Sequence, residues 1–322
     1  MHIDDFVKEH KKKKYIDFML SIGLNCKPAI NIMSNGFRFF SSPLDFVEVR
    51  TIESVLHLFE SKFDSFFSNY KIDFSKKTAT GCYWIDDLTN EIYTIHFMKK
   101  GMPILESYRK FKEAMNLRAK RLDDRLKKVS KIVIVSQRPE SKEELTWFLN
   151  EFSNLYPNLC IDFINMRNDM KMSFDEIKVI NVLDDGKLSY TEYTFNDTRK
   201  CLIVPEGNIE MWSKILLQYE NDNLMHLKKE WQILGDSNKQ MLLYGTDRKV
   251  ERIANWLSNI GINNVSVVKR IDDINDKTDL CIILCIVDKK AVDKGNVDYL
   301  KNILSDRGYK NILVCDDYLR VK

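Results

Sequence analysis

Apolar runs bounded by turn formers outline the chain. Residues 16–22 are apolar nearly throughout and predict a buried strand, after which Gly23, Leu24, Asn25, Cys26, Lys27 and Pro28 lead into an amphipathic helix through Met33. Pro28 suits a first helical turn, where its missing N–H would have no intrahelical partner. Cys26 is therefore expected at a strand-to-helix turn, at or just before a helix N-terminus. Past Gly36 comes an irregular stretch with Ser41, Ser42, Pro43, Leu44 and Asp45. Thr51 then opens a helix carrying Ile52, Val55, Leu56, Phe59, Phe63 and Phe66 at helical spacing. Alternating segments at 80–85 and 91–97, separated by Asp86, Asp87 and Asn90, predict a hairpin with His96 near the end of its second strand. A long helix over 103–128 has an apolar face of Leu105, Phe111, Met115, Leu122 and Leu126 and a basic opposite face.

Further on, a strand at 131–136, a helix at 141–153 and a strand at 160–164 form a βαβ unit, for which parallel pairing is expected. Segments 177–183 and 187–193 predict another hairpin around Asp184, Asp185 and Gly186, followed by a helix over 209–219. From about residue 231 the rhythm is strand 241–245, helix 249–260, strands 265–268 and 280–287, helix 297–305 and strand 311–314, a small doubly wound unit. At 322 residues the chain exceeds what one core usually serves. The expected fold is thus α/β with two domains, the boundary lying in the polar region 221–239. Residues 1–230 form a mixed α/β domain and 231–322 a Rossmann-like one.

Hydrophobic residues at 44% and charged residues at 30% are ordinary for a folded protein. The net charge of +3 supplies no broad field for nucleic acid, so none is expected as a partner. No apolar run approaches the ~20 residues that span a bilayer, and the polar start lacks a secretory apolar region, so a cytoplasmic location is expected. Seven scattered cysteines, an odd number, fit reduced thiols in a reducing compartment. No metal is expected, because Cys281 and Cys285 lack a second pair at zinc-site spacing. No cofactor is expected either: Gly245-Thr-Asp-Arg-Lys-Val has the address of a phosphate loop, but it lacks a second glycine and Asp247 would repel a pyrophosphate. Oligomeric state is left open.

Cys26 is the leading candidate for chemistry. Thiolate is the nucleophilic form, and backbone N–H groups at a helix start favour it. Lys27 would add to the effect or point to solvent, and the plainer reading of Cys26 is a small residue filling the turn. Of five histidines only His96 ends a predicted core strand, which makes it the natural base, although a histidine there also serves structure. Asp45 would orient the imidazole as the third member of a triad, or simply form a turn after Pro43. On the long helix Arg118, Arg121 and Arg125 share much of one face and would hold an acidic or phosphate-bearing substrate. Glu113, Asp123 and Asp124 offset that charge, so solvated surface is the alternative.

Taken in order, Ser21-Ile-Gly-Leu-Asn-Cys26, Ser42-Pro-Leu-Asp-Phe46, Phe63-Asp-Ser-Phe66, His96-Phe97 and Lys131-Ile-Val-Ile-Val135 resemble a bacterial family of papain-like cysteine peptidases, a domain of unknown function, over about residues 15–170. The resemblance implies Cys26 as nucleophile, His96 as base and Asp45 as supporting acid. Leu44 and Phe46 stand where the family has Phe and Trp, and Phe97-Met98 replaces the Asp-Phe that usually follows its histidine. Two functions are therefore expected to compete. The first is a thiol-dependent hydrolase or acyl transferase with a Cys26-His96-Asp45 constellation, set in bacterial cell-envelope polysaccharide metabolism. The second is a non-catalytic scaffold recognising a nucleotide sugar or a protein partner.

Overall fold

A computed structural model describes residues 1–10, 12–38, 40–76, 78, 80–198, 207–237, 240–245, 247–268, 280–285, 302–309 and 311–314. The chain divides into two compact units, residues 1–33 with 38–212 and residues 34–37 with 213–322.

The first unit opens with α1 (Ile3–Glu9), whose N-cap is His2 and whose Ile3 and Phe6 are buried. The polar composition of this leader hid the helix, which rests on two apolar side chains on one face. Strands β1 (Lys14–Tyr15) and β2 (Phe18–Ser21) follow, then α2 (Lys27–Ser34). Between β2 and the next strand of its sheet lie β3 (Glu48–Val49), α3 (Ile52–Glu60), β4 (Tyr70–Asp73), β5 (Trp84–Asp87), β6 (Ile92–Thr94) and α4 (Ile104–Leu126). The unit continues through β7 (Lys131–Ser136), α5 (Lys142–Leu155), β8 (Cys160–Asn168), β9 (Ile177–Asp184) and β10 (Leu188–Phe195) to the start of α6 (Ile209–Leu216).

Its main sheet has the order β2-β7-β8-β10-β9. The first four strands run parallel, with Leu20 opposite Ile134 and Ile134 opposite Phe163, while β9 is antiparallel at the edge. β2 and most of β7 are buried at successive positions, the pattern of strands covered on both faces. The carboxyl ends of β2, β7, β8 and β10 consequently share one rim, the usual location of sites in such sheets. A second, antiparallel sheet has the order β3-β6-β5-β4. One core joins both sheets to α3, α4 and α5, with Phe59 edge-on to Phe152 at 4.9 Å and Phe67 to Phe111 at 5.0 Å.

Several expectations change here. α3 starts as anticipated, the Thr51 hydroxyl accepting from Ser54 N at 3.2 Å, but it stops at Glu60. Phe63 and Phe66 lie in the following turns, where Lys62, Phe63 and Phe67 have positive φ; both rings are still buried, so the core places the aromatics and the backbone yields. Asp86 and Asp87 belong to β5 rather than to a turn. The buried Asp87 carboxylate accepts from Phe67 N (2.5 Å), Asn90 Nδ2 (2.7 Å) and Thr89 N (3.1 Å), building the turn from within the strand. On α4 the buried face is Phe111, Met115, Ala119, Leu122 and Leu126, whereas Leu105 is 78% exposed. The 177–195 hairpin forms, and β10 additionally pairs with β8 in parallel.

The second unit contains β11 (Tyr219–Glu220), α7 (Asp222–Ser237), β12 (Gln240–Gly245), α8 (Asp247–Asn259), β13 (Val265–Val268), β14 (Leu280–Cys285) and β15 (Asn311–Val314). Residue 230, the expected boundary, falls within α7. The four strands β12 to β15 form a parallel sheet of order β13-β12-β14-β15. Trp231 of α7 and Trp256 of α8 meet edge to face at 6.2 Å, and Trp256 Nε1 donates to Asn35 O at 3.2 Å. Of the helix expected over 297–305, residues 297–301 lie outside the described residues, and 302–305 are helical. Among the described residues no helix is long and apolar enough to cross a membrane.

Candidate active site

Cys26 sits where the sequence pattern places it. Ile22 N extends the ladder to Val135 O at 3.1 Å, and the chain then turns at Gly23. A side chain at Gly23 would meet Pro28 Cγ at 2.5 Å, so the close approach of strand end and helix start requires glycine. Cys26 O accepts from Ile30 N at 3.0 Å, which makes Cys26 the N-cap of α2. Asn25 Oδ1 accepts from Lys27 N at 2.9 Å, and Pro28 has no N–H. The N–H groups immediately after Cys26 are thus spent or missing.

The thiol is half-buried and reduced. Burial pushes its pKa above the ordinary thiol value; its own backbone N–H and Lys27 pull it down, and Glu48 reinforces the rise. Desolvation wins, so the resting thiol is protonated at neutral pH, contrary to a helix start that yields a ready thiolate. Part of the reason is the position of Lys27. Its ammonium lies 2.6 Å from Asp197 Oδ2 rather than on the sulfur.

Asp197 follows β10 and has a side chain with no exposure. Oδ2 also accepts from Gln137 Nε2 at 2.5 Å, and Oδ1 accepts from Asn208 N and Trp212 Nε1, each at 2.9 Å. Its backbone N–H donates to Asn168 Oδ1 at 2.9 Å. Asp197 therefore ties together, by carboxylate and backbone, the start of α2, the segment after β7 and the end of β8. Gly207 has φ +69°, and a Cβ there would lie 2.1 Å from Asp197 Oδ1, so this hub tolerates only glycine beside it.

Asp45 occupies a second buried cluster. Its Oδ2 accepts from Arg38 Nη2 at 2.8 Å and Ser42 N at 3.0 Å, and its Oδ1 accepts from Ser21 Oγ at 3.0 Å. Burial outweighs these partners and holds the carboxyl above its usual range, with Arg38 the strongest opposing influence. A cavity of about 20 Å³, room for a single water, adjoins Ser21, Arg38, Ser42 and Asp45. Through Ser21 this loop is tied to the strand that delivers Cys26.

His96 lies two residues beyond β6. Its ring packs against Phe46 at 5.6 Å between centroids, and its backbone N–H donates to Thr94 Oγ1 at 3.3 Å. Phe46 adopts φ 65°, a strained conformation for an aromatic residue, with its carbonyl held by Thr94 Oγ1 at 2.9 Å. Desolvation lowers the His96 pKa, so the imidazole is neutral at pH 7. Among the described residues neither ring nitrogen of His96 makes a hydrogen bond, and the Cys26 sulfur has no side-chain partner, only its own backbone N–H. The hydrogen bonds of Asp45 go to Arg38, Ser42 and Ser21, and none goes to His96.

Of the α4 arginines, Arg118 is half-buried with its guanidinium 5.1 Å from the Phe97 ring centroid, Arg121 is exposed and Arg125 is half-buried. Sequence reasoning missed Arg38, Glu48, Gln137 and Asp197. Their signal is weak, since an isolated polar residue beside aromatics or after a strand has no motif, and Asp197 reaches Lys27 across 170 residues. Glu48 is held by the Tyr93 hydroxyl, whose own pKa is driven well above its ordinary range by burial and then by this carboxylate. Among the described residues no group of three or more His, Cys, Asp or Glu side chains converges as metal ligands would.

Residues 17–167 match the family described as "Putative papain-like cysteine peptidase (DUF1796)". No curated protein matches the chain. No solved structure matches it either.

Proposed function

With residues 17–167 matching a papain-like cysteine peptidase family, we propose that the first unit is a thiol-dependent hydrolase or acyl transferase with Cys26 as nucleophile and His96 as base. The observation that carries this reading is a reduced cysteine at the N-cap of α2, on the rim formed by the parallel strand ends, with no side chain hydrogen-bonded to its sulfur. A protonated thiol and a neutral imidazole call for general-base catalysis rather than a standing thiolate. His96 removes the thiol proton as sulfur attacks a carbonyl carbon, and the Cys26 backbone N–H, which already acts on that sulfur, stabilises the oxyanion. The tetrahedral intermediate then expels its leaving group, which takes the proton from His96. Water, or an acceptor alcohol or amine, attacks the thioester and restores the thiol. Asp45 contributes by fixing the loop that presses Phe46 on His96. Substrate must draw His96 and Cys26 into contact, as catalytic hydrogen bonds often tighten only in the complex.

Residues 213–322 fit a Rossmann-like module, with a role in docking. A reducing, cytoplasmic setting suits the chemistry, since it requires free sulfur.

The test is acyl trapping. Incubation with a simple activated thioester, followed by intact-mass and peptide mapping, is expected to place one acyl group on Cys26, none on Cys26→Ser, and to show trapping slowed about 100-fold or more in His96→Asn. Equal acylation of Cys82 and Cys160, or no effect of His96→Asn, would overturn the assignment. The raised Cys26 pKa favours the second reading, a binding scaffold, which predicts no stable acyl adduct at all.

A further inference from the structure

Two arginines that contact Phe46 and Phe97 carry a further inference, one that rests on the thiol-dependent reading for its place in a reaction. We propose that Arg38 and Arg118 together bind an oxyanion, a carboxylate or phosphate group of the substrate.

One guanidinium lies near the ring that packs on His96, the other near the ring of the residue that follows it. Arg38 Cζ is 5.6 Å from the Phe46 centroid, and the same ring also contacts His96 at 5.6 Å between centroids. Arg118 Cζ is 5.1 Å from the centroid of Phe97, the residue after His96, and Phe97 is itself locked by stacking on Phe111 at 5.6 Å. Each arginine buries one N–H nitrogen that finds no acceptor among the described residues: Nε of Arg38 and Nη1 of Arg118. A buried donor without an acceptor is costly, and these two arginines are close enough to act on each other, so an oxyanion accepting from both would relieve the cost.

Charge points the same way. Arg109, Lys110 and Lys127 of the α4 region pair with acids four residues away, at 2.5–3.2 Å, but Arg118 has no ion pair among the described residues. The charges acting on it are the Asp45 carboxylate and the like charges of Arg38 and Arg121. Both Asp45 oxygens are already taken, so the local positive excess is unmet. Arg38 donates through Nη2 to Asp45 and Ser41 and through Nη1 to Met33, which leaves its Nε, while the planar Arg118 fork suits the paired oxygens of a carboxylate or phosphate.

Titration calorimetry on the full-length Cys26→Ser protein tests this without relying on thiol chemistry. Inorganic phosphate and succinate are the two probes, and saturable binding that weakens with added salt is expected for at least one. Binding of phosphate alone or succinate alone identifies the group recognised. Arg118→Gln should weaken that binding about tenfold or more, with partial recovery in Arg118→Lys, which restores charge but not the fork. Circular dichroism checks that each variant remains folded; Arg118 has no ion pair to lose, which makes it the safer variant than Arg38. No saturable binding of either anion, or an affinity unchanged by Arg118→Gln, overturns the proposal. Anion binding without acyl trapping at Cys26 would leave this site standing and remove the hydrolase reading; the reverse outcome would do the opposite.

Discussion

Removing the Asp197 carboxylate should destabilise the first unit more than any other single change at the rim. Asp197→Ala leaves the Lys27 ammonium, only 18% exposed, without its partner at 2.6 Å. Stranding one member of a buried ion pair costs about 3–5 kcal/mol. Gln137 Nε2, Asn208 N and Trp212 Nε1 also lose their acceptor, each worth about 1–3 kcal/mol if left dry. These losses overlap, because water entering one gap serves several donors, so about 4 kcal/mol is a conservative total. That is a large share of the ~5–15 kcal/mol that holds a domain folded. Urea unfolding followed by tryptophan fluorescence reads it, since Trp212 touches the mutated group. With a slope near 3 kcal/mol/M, the midpoint should fall by more than about 1 M at constant slope. Lys27→Met should cost less, because Asp197 keeps three neutral donors, and Lys27→Met with Asp197→Asn should lose less than the sum of the two. A midpoint shift under about 0.3 M for Asp197→Ala would show that Asp197 is not the hub described, and the anchoring of the Cys26 turn through Lys27 would fall with it.

Other outcomes follow from the same geometry. Gly207→Ala should lower the unfolding free energy by roughly 1 kcal/mol or more, combining a positive φ with a methyl group forced onto Asp197; a thermal melt matching wild type would contradict the clash. Iodoacetamide should alkylate Cys26 slowly at pH 7 and progressively faster as pH rises through and beyond the ordinary thiol range, because burial raises its pKa; a rate already at plateau near neutral pH would refute the protonated resting state. His96 has a folded pKa below its unfolded value of 6.5, so its contribution to stability is present above that value and is lost as pH falls towards the folded pKa. His96→Asn should accordingly lose less stability than wild type between pH 7 and pH 5, measured by urea unfolding, and parallel losses would refute the assignment.

The local pattern was enough for the elements whose stabilisation is local. The apolar run before Gly23, Pro28 in a first helical turn, the Thr51 cap and the βαβ spacing are consequences of hydrogen-bond supply and side-chain periodicity within a few residues, and the structure keeps them. So is the position of Cys26 at the N-cap of α2. What the sequence could not decide were quantities summed over neighbours distant along the chain. Whether Cys26 ionises depends on burial against the helix-start N–H groups, and burial is a property of packing. Lys27 looked like a cation for the sulfur and became the partner of Asp197, because β10 runs parallel to β8 and brings its end to the same rim. Asp45 read as a turn former or a triad acid, and its buried lone pairs went to Arg38, Ser21 and Ser42, the donors that the tertiary fold put within reach. Phe63 and Phe66 kept their burial and gave up their helix, since a core selects ring positions and lets the backbone bend to supply them.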